Sequence, residues 1–132
     1  MKIYSISFNK GDYAYSISFH NDNDDVTLDT NEEARNSLLL SKGTLAAAVR
    51  DYARISDDFE IVLNTVRFGD EKKDNSISFT ARTISKEIFP RKIINCNLKI
   101  ARIAKREKEV EPTRARVLLL TDDLYCEVER YL

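Results

Sequence analysis

Hydrophobic and polar residues alternate strictly in three short segments that share one motif. Tyr-Ser-Ile-Ser-Phe occupies residues 4–8 and again 15–19, and its core Ser-Ile-Ser-Phe returns at 76–79. Alternation with a period of two predicts a strand with one buried face for each copy. Between the first two copies lies a turn sequence with Gly11, which reaches positive φ at little cost. The chain is therefore predicted to open with a β-hairpin.

The hairpin register follows from folding the chain about its turn. The predicted pairs on one face are Phe8 with Tyr13, Ile6 with Tyr15 and Tyr4 with Ile17. The opposite face carries small, mildly polar side chains, for which exposure to water is the simpler prediction. Tyr4, Tyr13 and Tyr15 fit a core face, but tyrosine hydroxyls also suit an interface rim, and a partner chain could extend the hairpin edge. These three tyrosines are therefore candidate interface residues.

Helical spacing of apolar residues marks two further segments. Residues 45–55 are predicted as a helix with Thr44 as its N-cap. A capping-box pattern from Thr30 to Glu33 could open a short helix before it, although residues 37–41 fit a strand equally well. A C-terminal helix is predicted over 122–131, with 116–121 as a strand ahead of it.

The remaining alternation predicts strands at 26–28, 59–68 and 76–85. Apolar residues on both faces of 59–68 predict a central strand that is covered on both sides. Residues 92–104 favour a strand, while 101–109 could be helical. The predicted fold class is α+β in one domain, 1–132: a mostly antiparallel sheet of an N-terminal hairpin and a second hairpin, with one central and one C-terminal helix.

Composition agrees with one ordinary globular domain. The chain has 132 residues, 42% hydrophobic and 33% charged, and no apolar run long enough to span a membrane. Cys96 and Cys126 are far apart and belong to no paired motif, so both are predicted to be free thiols. The first residues lack an apolar signal region, which predicts a cytoplasmic or otherwise intracellular protein, the interior of a virion included.

Positive charge is concentrated in one segment of a chain whose net charge is −1. Residues 91–116 hold nine basic and three acidic residues, a local net charge of +6. The segment could bind nucleic-acid phosphates or an acidic protein partner through Lys99, Arg102, Lys105, Arg106, Lys108, Arg114 and Arg116. Glutamates interleave with these cations and no aromatic residue is present, so a solvated face with internal ion pairs is the alternative.

Residues that could carry catalysis are sparse. His20 is the only histidine, and the chain has no CxxC pair, GxGxxG or P-loop, so no catalytic residue, metal or cofactor is predicted. Asp58, Glu71 and Lys73 carry the residue types of a Mg²⁺-dependent nuclease, which is retained as a minor alternative.

These observations favour a non-enzymatic protein-interaction or assembly module, such as a structural subunit of a viral or mobile-element complex. Segregated charge favours oriented contacts with a protein partner or another copy of the chain. Binding of nucleic acid through residues 99–116 is the first alternative and the Mg²⁺ nuclease is the second. No membrane partner is predicted.

Overall fold

The computed structural model describes residues 3–8, 14–20, 25–29, 31–70, 75–87 and 93–132. In chain order its elements are β1 (Ile3–Ser7), β2 (Ala14–Phe19), β3 (Val26–Asp29), α1 (Glu32–Ala53), β4 (Phe59–Arg67), β5 (Ser76–Ser85), β6 (Ile93–Ala101) and α2 (Pro112–Arg130). A single 3₁₀ turn at Glu107–Val110 precedes α2. Neither helix within these ranges is both long and apolar enough to cross a membrane.

The six strands form one antiparallel sheet in the order β3-β2-β1-β4-β5-β6. Each half of the chain runs strand, strand, strand, helix, first with β1–β3 and α1 and then with β4–β6 and α2. The halves meet where β1 pairs with β4, and Ile6 there lies opposite Val66. The predicted α+β class, with its antiparallel sheet, central helix and C-terminal helix, is confirmed.

Both helices pack against one face of the sheet, and the core lies between the two layers. Ile6, Ile17 and Leu63 are fully buried on that face, as are Leu38 of α1 and Leu124 of α2. Burying one such side chain contributes about 1.5–3 kcal/mol to folding. No described element covers the other face of the sheet, which is called the open face below.

Strand β4 lies inside the sheet but is covered on one face only, so the predicted double coverage is wrong. Its register against β5 shifts between Leu63 and Thr65, which leaves Asn64 as an extra residue. A β-bulge of this kind reverses the alternation of side chains beyond it. Leu63 and Val66 are therefore buried on the same face, although their spacing would place them on opposite faces of a regular strand.

The first hairpin is confirmed, but its register differs from the predicted one by two residues. Ile6 lies opposite Ile17 rather than Tyr15, and Tyr15 instead contacts the Phe8 ring at 5.1 Å between centroids. A shift by two residues keeps every side chain on its face, so the pattern alone does not distinguish the registers. A second irregularity near Ile3 leaves the neighbouring Tyr4 38% exposed, so the predicted pairing of Tyr4 with Ile17 is wrong.

Helix α1 begins well before the predicted start. The Asn31 side chain caps it by accepting a 2.8 Å hydrogen bond from the Ala34 N–H. The predicted N-cap Thr44 lies inside the helix, where its hydroxyl donates to the Leu40 carbonyl at 2.9 Å. A strand at 37–41 is therefore wrong, because Leu38 is buried on the same face of one continuous helix as the later apolar residues. Thr30 lies outside the described residues.

Helix α2 also begins earlier than predicted, at Pro112 in the first turn. Proline suits that position, since the first N–H groups of a helix have no partner within it. Residues 116–121 are helical rather than extended, and the buried Thr121 donates its hydroxyl to the Val117 carbonyl at 2.7 Å. Upstream, the strand prediction for the segment after residue 92 is confirmed by β6, and only one 3₁₀ turn replaces the alternative helix at 101–109.

Candidate interaction surfaces

The cations of the predicted basic segment lie in different environments. Arg102 and Arg114 are directed at backbone carbonyls, of Phe68 and Ala101 respectively. Lys99 belongs to β6, and the exposed cations near the 3₁₀ turn and on α2 are Lys105, Arg106 and Arg116. The Lys108 side chain lies outside the described residues. The structure therefore assigns at least two of the seven cations to holding the fold.

Arg102 lines a cleft of about 330 Å³ at one end of the sheet. Its guanidinium donates to the Phe68 carbonyl at 2.6 and 3.1 Å and to the Asp122 carboxylate at 2.9 Å. These bonds tie the end of β6 to the end of β4 and to α2. Because the Asp122 carboxylate balances its charge, Arg102 is poorly placed to attract a phosphate.

His20 lines the same cleft in a structural position. Its Nε2 lies 3.2 Å from the Gly69 carbonyl and donates to it, since a carbonyl only accepts. Its Nδ1 lies 3.6 Å from the Asp70 carboxylate, and the imidazole makes a T-shaped contact with the Tyr4 ring at 5.1 Å between centroids. The described lining of the cleft includes no serine, threonine or cysteine, so it supplies no nucleophile of those types for His20 to activate.

Asp58, from the nuclease hypothesis, lies just before β4, whereas Gly69 and Asp70 follow the same strand. An extended strand of this length separates its ends by about 30 Å. Glu71 and Lys73 lie outside the described residues. Within the described ranges, no group of three or more His, Cys, Asp or Glu side chains is arranged to hold a metal ion.

The tyrosines of the first hairpin lie in different environments. Tyr15 is 2% exposed and belongs to the core. Tyr4 is exposed beside His20, and Tyr13 lies outside the described residues. Strand β1, moreover, lies inside the sheet between β2 and β4, so its backbone is not a sheet edge.

The two edges of the sheet differ in length and protection. Strand β3 has four residues, and exposed Asp25 directly precedes it. Strand β6 has nine residues, no proline and one charged side chain, Lys99. Ile93 and Ile94, at its start, are 58% and 41% exposed. Natural edge strands are usually short, charged or interrupted, which prevents pairing with another chain, and β6 has little of that protection.

The pairing of β6 with β5 determines which of its backbone groups face outward. The Arg102 N–H donates to the Asn75 carbonyl at 2.8 Å, in register with the ladder that pairs Ile100 with Ile77. Hydrogen-bonded residues alternate along an antiparallel strand. The outward N–H and C=O groups therefore belong to Ile93, Asn95, Asn97, Lys99 and Ala101. Arg114 occupies the Ala101 carbonyl, and no described strand pairs with this edge.

The open face is built from rows of small polar side chains that cross the strands. Residues paired across neighbouring strands share a face. One row crosses all six strands, from β3 to β6: Thr27, Ser16, Ser7, Thr65, Thr80 and Asn97. A second row crosses five strands: Ser18, Ser5, Arg67, Ser78 and Lys99. A third joins Val62, Arg82 and Asn95.

Sequence reasoning missed Arg67 and Arg82 as surface cations, although a signal was present for Arg82, which follows Ser78 and Thr80 at intervals of two. Arg67 lies four residues after the buried Leu63 and reaches the open face only because of the bulge at Asn64. The same alternation that predicted buried Ile77 would have placed Arg82 on the face opposite to it. Clusters of charge along the sequence do not reveal these cations, because the sheet brings them together from separate strands.

Comparison with known proteins identifies no relative of the chain. No family model matches the chain, and neither curated proteins nor solved structures give a significant match.

Proposed function

We propose that the protein is a non-enzymatic assembly module that self-associates by pairing β6 with the β6 of a second copy. The observation that carries the proposal is the unequal protection of the two sheet edges. Edge β3 is short and preceded by an exposed carboxylate, whereas β6 is long and exposes Ile93 and Ile94 at one end. A module of this kind suits a structural subunit of a larger complex.

A twofold axis through Asn97 gives the register with full overlap of the strands. Outward backbone groups occur at every second residue around Asn97, so two antiparallel copies present matching donors and acceptors. Ile94 then lies opposite Ile100 of the partner subunit, and Cys96 opposite Leu98 of the partner subunit. On the open face, Lys99 lies opposite Asn95 of the partner subunit. This register places no like charges directly opposite each other.

The energetics favour a weak dimer. Each new backbone hydrogen bond contributes a net of about 0.5–1.5 kcal/mol, and part of the exposed area of Ile93 and Ile94 becomes covered. A single strand pair buries less than the roughly 1,200 Å² of a standard interface. We therefore expect a dissociation constant in the micromolar range or weaker, of the order of 10⁻⁶–10⁻⁴ M.

Sedimentation velocity over a range of protein concentrations tests the proposal. We expect a monomer–dimer equilibrium for the native chain and a monomer for Asn97→Lys, because two lysines would then face each other on the twofold axis. The matched control Asn97→Ser changes the same exposed side chain without charge and should still dimerise. Asn97→Lys that dimerises as well as the native chain would exclude this interface.

Cysteine cross-linking tests the register itself, in a chain carrying Cys96→Ala and Cys126→Ala. Asn97→Cys places two thiols in one hydrogen-bonded pair with a Cα separation of about 5.5 Å, within the range of disulfides. We expect a reducible covalent dimer from Asn97→Cys. Asn95→Cys should give little, because each such cysteine faces Lys99 of the partner subunit. A dimer that cross-links at neither position would show that the copies associate through another surface.

A further inference from the structure

We propose that the chain is a fused dimer, in which β1 of one βββα unit is the pairing surface for β4 of a second, equivalent unit. The first unit comprises β1–β3 and α1, and the second comprises β4–β6 and α2. A pseudo-twofold axis between Ile6 and Val66 relates the units, and residues that it superimposes are called counterparts. The inference does not depend on self-association through β6, because β1 and β4 lie in the middle of the sheet.

The contact between the units is reciprocal. The Phe8 N–H donates to the Asn64 carbonyl at 2.8 Å, and the N–H of Phe68 donates to the carbonyl of Tyr4 at 2.9 Å. Phe68 follows Phe8 by 60 positions, and Asn64 follows Tyr4 by the same 60 positions. Across a twofold axis, residue i of one copy contacts j of the other while j contacts i. The two hydrogen bonds therefore have the relationship expected of two copies of one unit.

Each unit carries a β-bulge at the same position. In the first unit, the register between β1 and β2 shifts at Tyr4. In the second unit, the register between β4 and β5 shifts at Asn64, the counterpart of Tyr4. A bulge is a local insertion in one strand of a pair, and antiparallel pairing does not require two bulges at matching places. The match indicates a repeated unit rather than a chance arrangement of six strands.

The buried positions of the two units also correspond. Counterparts are apolar and buried in both units: Ile3 with Leu63, Ile6 with Val66, Phe8 with Phe68, Leu38 with Val117, Leu45 with Leu124 and Val49 with Val128. The offset is 60 positions for the three strand pairs and 79 positions for the three helix pairs. The offset differs between elements because the connections between them accept insertions.

The repeated tetrapeptide does not reveal this equivalence. Ser-Ile-Ser-Phe occupies residues 16–19 in β2 and 76–79 in β5. The counterpart of Ile17 is nevertheless Phe79, because these residues lie opposite Ile6 and Val66. The motif is therefore displaced by two residues from the structural alignment and reflects strand alternation.

The pairing also explains how the two units stabilise each other. A three-stranded unit has two edges, and Ile6 or Val66 would lie on an edge strand of its own unit. Joining β1 to β4 pairs both of these edges and leaves Ile6 and Val66 fully buried. The partner that this surface fits is consequently another βββα unit, which the chain itself supplies.

Circular permutation of the whole chain tests the equivalence of the units. A permutant opened between Ser56 and Asp57, with a linker between the original termini, places the second unit ahead of the first. A linker of about seven residues gives the new connection the length of the natural one from Ala53 to Leu63. We expect cooperative thermal unfolding with a midpoint lowered by no more than about 10 °C.

A matched permutant interrupts a unit instead. It carries the same linker and is opened at Gly43, inside α1. We expect it to lose cooperative unfolding, because Leu38 and Leu45 would no longer belong to one continuous helix. Equal stability of the two permutants, or an unfolded first permutant, would overturn the inference.

A strand exchange tests the offset of 60 positions independently of the termini. Residues 3–8 take the sequence of residues 63–68, through Ile3→Leu, Tyr4→Asn, Ser5→Thr, Ile6→Val and Ser7→Arg. The buried positions keep apolar residues, so the unfolding midpoint should fall by no more than about 10 °C. The control takes the sequence of residues 62–67 at the same place and should unfold, because Phe8→Arg buries a charge. An unfolded exchange variant, or a control of equal stability, would contradict the offset.

Sedimentation velocity of the first permutant separates the two proposals. The permutant keeps β6 unchanged, so its monomer–dimer equilibrium should match that of the native chain. The fused-dimer inference fails if the permutant or the exchange variant does not fold. The β6 interface fails if Asn97→Lys dimerises as the native chain does, whatever the permutants show.

Discussion

The guanidinium of Arg114 donates a hydrogen bond to the carbonyl oxygen of Ala101, the last residue of edge strand β6. Arg114 lies in the first turns of α2 and is only 5% exposed. This bond fastens the second helix to the end of the sheet edge. It also occupies one of the outward carbonyls of β6 and so marks the end of the stretch that can pair with another copy.

Replacing Arg114 should destabilise the fold. We expect Arg114→Ala to lower the free energy of unfolding by about 1.5–3 kcal/mol, because a hydrogen bond to a charged group is lost. Urea denaturation measures the change. Arg116→Ala, at an exposed position on the same helix, is the control and should stay within about 0.5 kcal/mol of the native chain. Similar losses in the two variants would contradict the role given to Arg114.

Glu109 orders the turn that connects β6 to α2. Its carboxylate accepts hydrogen bonds from the backbone N–H groups of Lys105 and of Arg106, the second at 3.0 Å. The bond from Lys105, followed by that from Arg106 and by nearby arginines, holds the pKa of Glu109 below its usual range. Because the folded turn favours the ionised form, this stabilisation is present above the ordinary glutamate range and is lost as the pH falls through the lowered pKa.

Amide hydrogen exchange checks this arrangement. In Glu109→Gln we expect faster exchange at the Lys105 and Arg106 amides, since a neutral amide oxygen accepts more weakly than a carboxylate. In the native chain the same amides should lose protection at acidic pH. Glu107→Gln serves as the control and should leave both rates unchanged. Protection that persists in Glu109→Gln would mean that the carboxylate does not order the turn.

The two cysteines should differ in reactivity. Burial raises the pKa of the Cys96 thiol, whereas Cys126 is exposed on α2. Thiolate is the reactive form, so at neutral pH we expect iodoacetamide to modify Cys126 several-fold faster than Cys96. Mass spectrometry of peptides after timed labelling distinguishes the sites, and Cys126→Ser isolates the slower one. Faster labelling of Cys96 would show that β6 opens more readily than its pairing implies.

Two glycines should respond to alanine in opposite directions. Gly69 has φ of 89°, and an added Cβ would lie 2.6 Å from the Ser76 carbonyl oxygen. Gly43 lies within α1, and a Cβ there meets nothing within 4 Å. We expect Gly69→Ala to destabilise the protein by more than about 1 kcal/mol and Gly43→Ala to stabilise it by about 0.5–1 kcal/mol. Thermal unfolding of both variants measures the contrast, and a stabilising Gly69→Ala would contradict the backbone geometry.

Local periodicity predicted the elements better than it predicted their limits. Alternation found the strand around Ile77 and the hairpin at the N-terminus, because burial of one face imposes a period of two on a strand. The helix limits were less accurate. Thr44 has the chemistry of an N-cap, but Leu38 continues the buried stripe before it, and tertiary packing kept that turn helical. The bulge at Asn64 gave no sequence signal that distinguishes it from a strand with two apolar faces.

By itself, the sequence determined the α+β class, the hairpins and the absence of the usual catalytic and metal-binding motifs. These depend on neighbouring residues and on residue types. Only the tertiary structure decided that β6 is an exposed edge, that Arg102 and Arg114 hold backbone carbonyls, and that Arg67 and Arg82 join Lys99 on the open face. The physical reason is that strand order and pairing bring together residues far apart in the chain, and alternation records which face a side chain occupies but not which strand lies beside it.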